Sequence, residues 1–182
     1  MISLNRLLLP VVGSVALLLM LGGCATRPAV PDEVTEPFVL QEDLLGKTVG
    51  RGNFSAIDGT SRDFVAYIEG SWDGEVMTLV EDFDYADGVK ERKTWKLTKL
   101  PNGDYSGVRE DVVGTARGYQ DGNAFRLEYT MSIPDEDGTP GRKVSFKDVL
   151  VKLPNGDIQN QANVGLYGFR VGQVSLVISR ED

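Results

Sequence analysis

From about residue 47 to residue 180 the chain alternates apolar and polar positions with a period of two, and Gly, Asn-Gly or Asp-Gly breaks the pattern at short intervals. Residues 123–133 show it best: Phe125, Leu127, Tyr129, Met131 and Ile133 fall on one face, Arg126, Glu128, Thr130 and Ser132 on the other. Successive side chains of a strand point to opposite faces, so such a run reads as an antiparallel strand with one face buried. The same reading predicts about ten strands, at 47–57, 62–70, 75–85, 89–99, 104–110, 112–120, 123–133, 142–153, 157–168 and 171–180. A short helix is predicted near 40–46. Evenly spaced hairpins without helices between them suggest an up-and-down barrel or a sandwich.

The pentapeptide Leu-Pro-Asn-Gly-Asp occurs twice, at 100–104 and 153–157. Proline suits the first central position of a type I turn and glycine the left-handed position that follows, which together make a three-residue hairpin loop. A two-residue Asn-Gly turn would demand a backbone N–H that proline lacks. The loop sets the register. Leu150 then faces Asn160, Asp148 faces Ala162, Phe146 faces Val164 and Val144 faces Leu166, while in the first copy Trp95 faces Arg109 and Leu97 faces Gly107. Applied to Ala86-Asp87-Gly88, the same logic places Leu79 opposite Trp95, Met77 opposite Leu97 and Glu81 opposite Lys93. At Asp121-Gly122 a two-residue turn pairs Gly118 with Phe125, Ala116 with Leu127 and Gly114 with Tyr129. Small residues beside large ones either leave room for a ligand or let rings cover glycine.

This register turns Glu81, Lys93, Arg109, Asp148 and Asn160 inward. A buried charge needs a partner. Glu81 is therefore expected to pair with Lys93, and Arg109 to meet a carboxylate or stack on Trp95.

Residues 1–23 carry one cation, Arg6, then an apolar run interrupted by Pro10 and Gly13, then the small residues Gly22 and Gly23, which is the layout of a secretory leader. Leu21-Gly22-Gly23-Cys24 resembles the lipobox of bacterial lipoproteins. That resemblance implies acylation of Cys24, the only cysteine, and cleavage before it. Two or more acyl chains make a stable anchor where one is marginal, so Cys24 is expected to attach the protein to a membrane. Residues 24–37, with Pro28, Pro31 and Pro37, are expected to form an extended linker, and 38–182 the barrel domain. Ala25 stands where an aspartate would resemble an inner-membrane retention signal, so the expected location is the periplasmic face of the outer membrane.

The formal charge is −8, and loss of Arg6 with the leader makes it one more negative. An acidic domain repels phosphate backbones, which argues against a nucleic-acid partner. The chain has no histidine, which removes the usual serine and cysteine catalytic triads and histidine-ligated zinc. The acidic run Glu81, Asp82, Asp84, Asp87 lacks calcium-loop spacing, and strand alternation sends neighbouring carboxylates to opposite faces. No metal or cofactor is expected.

The segments Trp72-Asp73-Gly74, Glu81-Asp82-Phe83 with Tyr85, Thr94 to Leu100, Val112 to Gly118, Gly122-Asn123-Ala124 and Gly168 to Gly172 resemble, as an ordered set, the proteobacterial lipoproteins grouped as domain of unknown function 3833. The resemblance spans about residues 38–180. It implies an all-β, antiparallel calycin-like or lipocalin-like barrel on an envelope lipoprotein. In a hollow barrel Met77, Leu79, Trp95, Phe125, Tyr129 and Phe146 would line the interior, with Arg109 or Lys93 meeting an acid headgroup and Glu81 and Asp148 as further inward polar groups. The expected function is a membrane-anchored module that binds an apolar or fatty-acyl ligand and is not an enzyme. An envelope scaffold with a filled barrel, or an enzyme using Glu81 or Asp148 as acid or base, are the alternatives.

Overall fold

The computed structural model describes residues 26–134 and 140–181. The leader, Cys24 and Ala25 lie outside the described residues. A four-residue helix α1 (Leu40–Asp43) precedes ten strands: β1 (Gly46–Ala56), β2 (Ser61–Trp72), β3 (Val76–Tyr85), β4 (Lys90–Lys99), β5 (Tyr105–Val108), β6 (Ala116–Asp121), β7 (Ala124–Pro134), β8 (Pro140–Lys152), β9 (Ile158–Leu166) and β10 (Phe169–Arg180). Each strand pairs antiparallel with its chain neighbours, and β10 pairs with β1. The sheet therefore closes into an up-and-down barrel, and the sandwich alternative falls away. Closure leaves no free edge to protect.

Both Leu-Pro-Asn-Gly-Asp copies fold alike. The glycine N–H donates to the leucine carbonyl at 2.9 Å in each, and the glycines take φ of 89° and 87°. The register follows: Leu150 faces Asn160, Asp148 faces Ala162, Phe146 faces Val164, Leu97 faces Gly107, and Leu79, Met77 and Glu81 face Trp95, Leu97 and Lys93. The β8–β9 ladder stops at Ser145 opposite Gly165, one pair short of Val144 and Leu166. The β4–β5 ladder stops at Lys96 opposite Val108, so Arg109 lies just past β5.

The β6–β7 hairpin departs from expectation. Its turn is Gly122-Asn123, with Asp121 opposite Ala124, so Gly118 faces Leu127 and Gln120 faces Phe125. Gly122 has φ 60° and Asn123 is not among the positive-φ residues, as a type II′ turn requires. The two-residue slip keeps every side chain on its face. Moreover, the Phe125 ring covers Gly118, where an added Cβ would meet its Cζ at 2.6 Å. No ligand space opens there. The predicted strand 112–120 begins only at Ala116, and residues 109–115 form a connection tied to β7 by the Val112–Met131 bridge.

The two barrel ends differ. At one end lie the β2–β3, β4–β5, β6–β7 and β8–β9 turns together with α1, and Phe38, Leu40 and Leu44 plug the interior. The fit is close: a Cβ on Gly70 would sit 1.7 Å from the Leu44 carbonyl oxygen, so only glycine lets the end of α1 rest on β2. At the other end, the mouth, lie the β1–β2, β3–β4, β5–β6 and β9–β10 connections.

Residues 26–37, expected as an extended spacer, instead run along the outer wall. Val34 packs over Ala124, Val149 and Val151, with Val30 and Leu153 beside them, in a second apolar cluster outside the barrel. The Arg126 guanidinium donates to the Pro28 carbonyl at 2.6 Å and to Asp121 at 3.0 Å; Asn163 donates to the Thr26 carbonyl at 2.6 Å. Arg27 pairs with Glu128. From Phe38 at the plugged end, the strap reaches Thr26 on the mouth half of β9. A proline-rich segment loses little entropy on docking, and the outward valines of β8 supply apolar surface to cover.

Candidate ligand-binding site

Inward side chains of the strands fill the plugged half and leave the mouth half open. Leu79, Leu97, Phe125, Leu127, Leu150 and Ile178 pack on α1 around a residual void of ≈ 70 Å³. Above them, Glu81, Trp95, Asp148, Asn160 and Leu176 line both this void and a cavity of ≈ 260 Å³ that opens at the mouth. These five residues are the floor of a cup. Its walls are aromatic: Phe54 from β1, Phe64 from β2, Phe83 and Tyr85 from β3, Tyr129 from β7 and Phe146 from β8. Tyr129 stacks on Phe146 with centroids 5.1 Å apart and meets Trp95 edge-on at 5.1 Å. Alternation explains the sorting, because every second residue of each strand must face the interior.

Arg109 organises the charges. Its Nε donates to Asp111 at 2.8 Å, its Nη1 lies 3.6 Å from Glu81, and its guanidinium sits over Trp95 and Tyr129, 4.7 and 5.6 Å from their centroids. A planar guanidinium serves two carboxylates and a ring face at once, which an ammonium does not. A second cation at the cup, Arg62, is bidentate to Asp87 at 2.8 and 3.0 Å and lies 3.5 Å from the Tyr85 centroid.

The acids respond to this setting. Burial pushes Glu81 up to about 7 against the opposing charge of Arg109. Burial likewise pushes Asp148 up to about 7, against the opposing charge of Arg109 and the nearby Asn160 amide and Tyr129 hydroxyl. At Asp111 burial raises the carboxyl, but Arg109 and Lys93 outweigh it and hold it below the usual range. Tyr129 is pushed well up, first by burial and then by Asp148. Glu81 Oε2 and Asp148 Oδ1 are buried and accept no hydrogen bond from the described residues.

Of the residues singled out in the sequence, Glu81, Trp95, Arg109, Tyr129, Phe146 and Asp148 come together around the cup. Leu79 and Phe125 sit below its floor, and Met77 is wholly buried in the plugged core, away from the cavity. Lys93 faces Glu81 across the ladder, yet its ammonium pairs with Asp111 at 3.3 Å and Glu91 at 3.8 Å. Arg109 takes Glu81 instead because it enters from the β5–β6 connection and reaches further into the barrel. Asp82 and Asp84 point outward and Asp87 lies in the β3–β4 turn, each paired with a cation. Phe54, Arg62, Phe64, Phe83, Tyr85 and Asp111 were not anticipated. The alternation of β1 and β2 carried the signal for the first three, but no turn rule tied those strands to the rest.

The chain matches the family described as protein of unknown function DUF3833 over residues 18–180, and it belongs to that family. Among solved structures it is similar to the S-type phycobiliprotein lyase CPES from Guillardia theta, with a TM-score of 0.55 and 8% identity over 78% of this chain and 90% of the other. That likeness shows the fold, a lipocalin-like barrel. No curated protein matches the chain. The expectation that the protein is not an enzyme is corrected by the neighbour: a barrel of this shape is named there as a lyase, so the fold gives no ground for excluding catalysis.

Proposed function

We propose that this protein is a lipoprotein of the outer membrane's periplasmic face, anchored through Cys24, that takes an apolar ligand into the aromatic cup at the barrel mouth. The observation that carries the reading is the ≈ 260 Å³ cavity with six aromatic walls and a small set of polar groups on its floor. Its size lies just below the ~300 to 1,000 Å³ of typical small-molecule pockets, and its lining has their usual character. A filled scaffold barrel has no such space.

Two features support an anchor near the mouth. The strap brings the chain to Thr26 on the mouth half of β9, two residues from Cys24. The mouth also carries exposed apolar side chains, Ile57 and Tyr167 in its connections and Phe169 at the start of β10, at 78, 87 and 58% exposure. The Ile57 N–H donates to the Val171 carbonyl, which brings the β1–β2 and β9–β10 connections side by side. Acyl chains on Cys24 and this apolar rim would share one bilayer surface, opening the cup beside the lipid.

Native mass spectrometry of the full chain purified from its own envelope, followed by organic extraction, tests the binding reading. A stoichiometric apolar molecule is the expected result. A clean apoprotein that takes up nothing from an envelope lipid extract would defeat it. Labelled palmitate incorporated by the native chain but not by Cys24→Ser tests the anchor.

A further inference from the structure

The floor of the cup is acidic, and its cations are already committed. Arg62 is bidentate to Asp87, and Arg109 is shared by Asp111 and Glu81. Neither presents a free charge to an acid headgroup. By contrast, Glu81 Oε2 and Asp148 Oδ1 are buried, belong to residues that line the cavity and receive no hydrogen bond from the described residues; Glu81 Oε2 has only the charge of Arg109 Nη1 at 3.6 Å, and Asp148 Oδ1 stands open. Asp148 as a residue is only 8% exposed. A buried acceptor without a donor is costly, and a ligand that supplies the donor recovers that cost on binding. The walls agree, because ring faces are negative and attract cations.

We propose that the cup selects an apolar ligand of aromatic size carrying a hydrogen-bond donor or a positive charge, which it directs at Glu81 and Asp148, and that it disfavours a carboxylate head. This rests on the binding reading above and replaces the expected fatty-acid geometry, in which Arg109 or Lys93 meets the headgroup. A ligand carboxylate in the cup would face Glu81 and Asp148 together, with the guanidinium of Arg109 unable to leave Glu81 and Asp111 without stranding two buried acids. An ammonium or N–H group there supplies the donor that Asp148 Oδ1 and Glu81 Oε2 lack and lies among the aromatic walls.

Three probes with one ring system separate the possibilities: 2-naphthylmethylamine, 2-naphthylmethanol and 2-naphthoate. Each is titrated calorimetrically at pH 8 into the full chain held in lipid nanodiscs, with empty discs subtracted. The amine is expected to bind tightest, the alcohol next and the carboxylate at least about tenfold more weakly than the amine. Asp148→Asn and Glu81→Gln, which keep side-chain shape, should each bring the amine close to the alcohol and leave the alcohol nearly unchanged. Carboxylate binding as tight as the amine overturns the proposal and leaves the binding cup standing. An equal loss for all three probes in both variants also overturns it, since packing rather than charge then governs. Failure of all three probes to bind the native chain removes the cup reading itself, and the selectivity with it.

Discussion

The guanidinium of Arg109 lies 4.7 Å from the centroid of the Trp95 indole, although the ladder joining their strands ends one pair before them. From that position it holds Asp111 and Glu81 on either side, all three side chains being at most 14% exposed. Removing one partner from such a group leaves uncompensated charge in a dry place, which costs more than the pair itself contributes.

Arg109→Met is therefore expected to destabilise the protein by about 3 to 5 kcal/mol in urea unfolding, with Arg109→Lys recovering part of the loss. A methionine variant within about 1 kcal/mol of the native chain would show that the acids are satisfied by other means.

Stability should depend on pH in an unusual direction. Glu81 and Asp148, raised to about 7 by burial, keep their protons in the native state while the unfolded chain has released them. Between the unfolded carboxyl range near ~4 and about 7, the native state thus binds more protons, and stability falls as pH rises. The loss is complete above that window. Together the two acids should make the melting temperature several degrees lower at pH 8 than at pH 5, a difference on the order of a few kcal/mol. Thermal melts across this range check it. The double variant Glu81→Gln with Asp148→Asn should flatten the profile, and a profile that rises from pH 5 to 8 would contradict the assignment.

The strap gives a separate prediction. Arg126, with its side chain 7% exposed, ties Pro28 to Asp121 from beneath. Arg126→Ala should release residues 26–33 and uncover Val149 and Val151. Limited proteolysis reports this as new cleavage in the strap, with global stability lowered by about 1 to 3 kcal/mol. Unchanged cleavage would mean that Val34 alone holds the segment.

The rim is tested on membranes. Replacing Ile57, Tyr167 and Phe169 together by serine removes the exposed apolar groups of the mouth. Spectroscopic depth quenching with lipid-attached probes should show the mouth connections leaving the bilayer surface, while the barrel's melting temperature stays within a degree or two, since single exposed apolar residues contribute little. Unchanged quenching would separate the mouth from the membrane.

The sequence by itself determined the strands and most of their partners. Period-two alternation and local turn chemistry act within a few residues, so Leu150 with Asn160, or Glu81 with Lys93, followed from the three-residue loops alone. Even where Asp121-Gly122 is the expected turn and Gly122-Asn123 the one that forms, the slip is two residues and preserves the faces. The continuous run Val149-Leu150-Val151 hinted that β8 is covered on both sides, but nothing local named the strap as the cover. Tertiary structure alone decided which charge meets which, because a long side chain such as Arg109 selects partners by reach across the closed barrel rather than by ladder position. It also decided where the interior is full and where it is open. The plug of Phe38, Leu40 and Leu44 packs one end, and the aromatic walls stand apart at the other, an outcome set by the diameter of the closed ring and not by the pattern of any one strand.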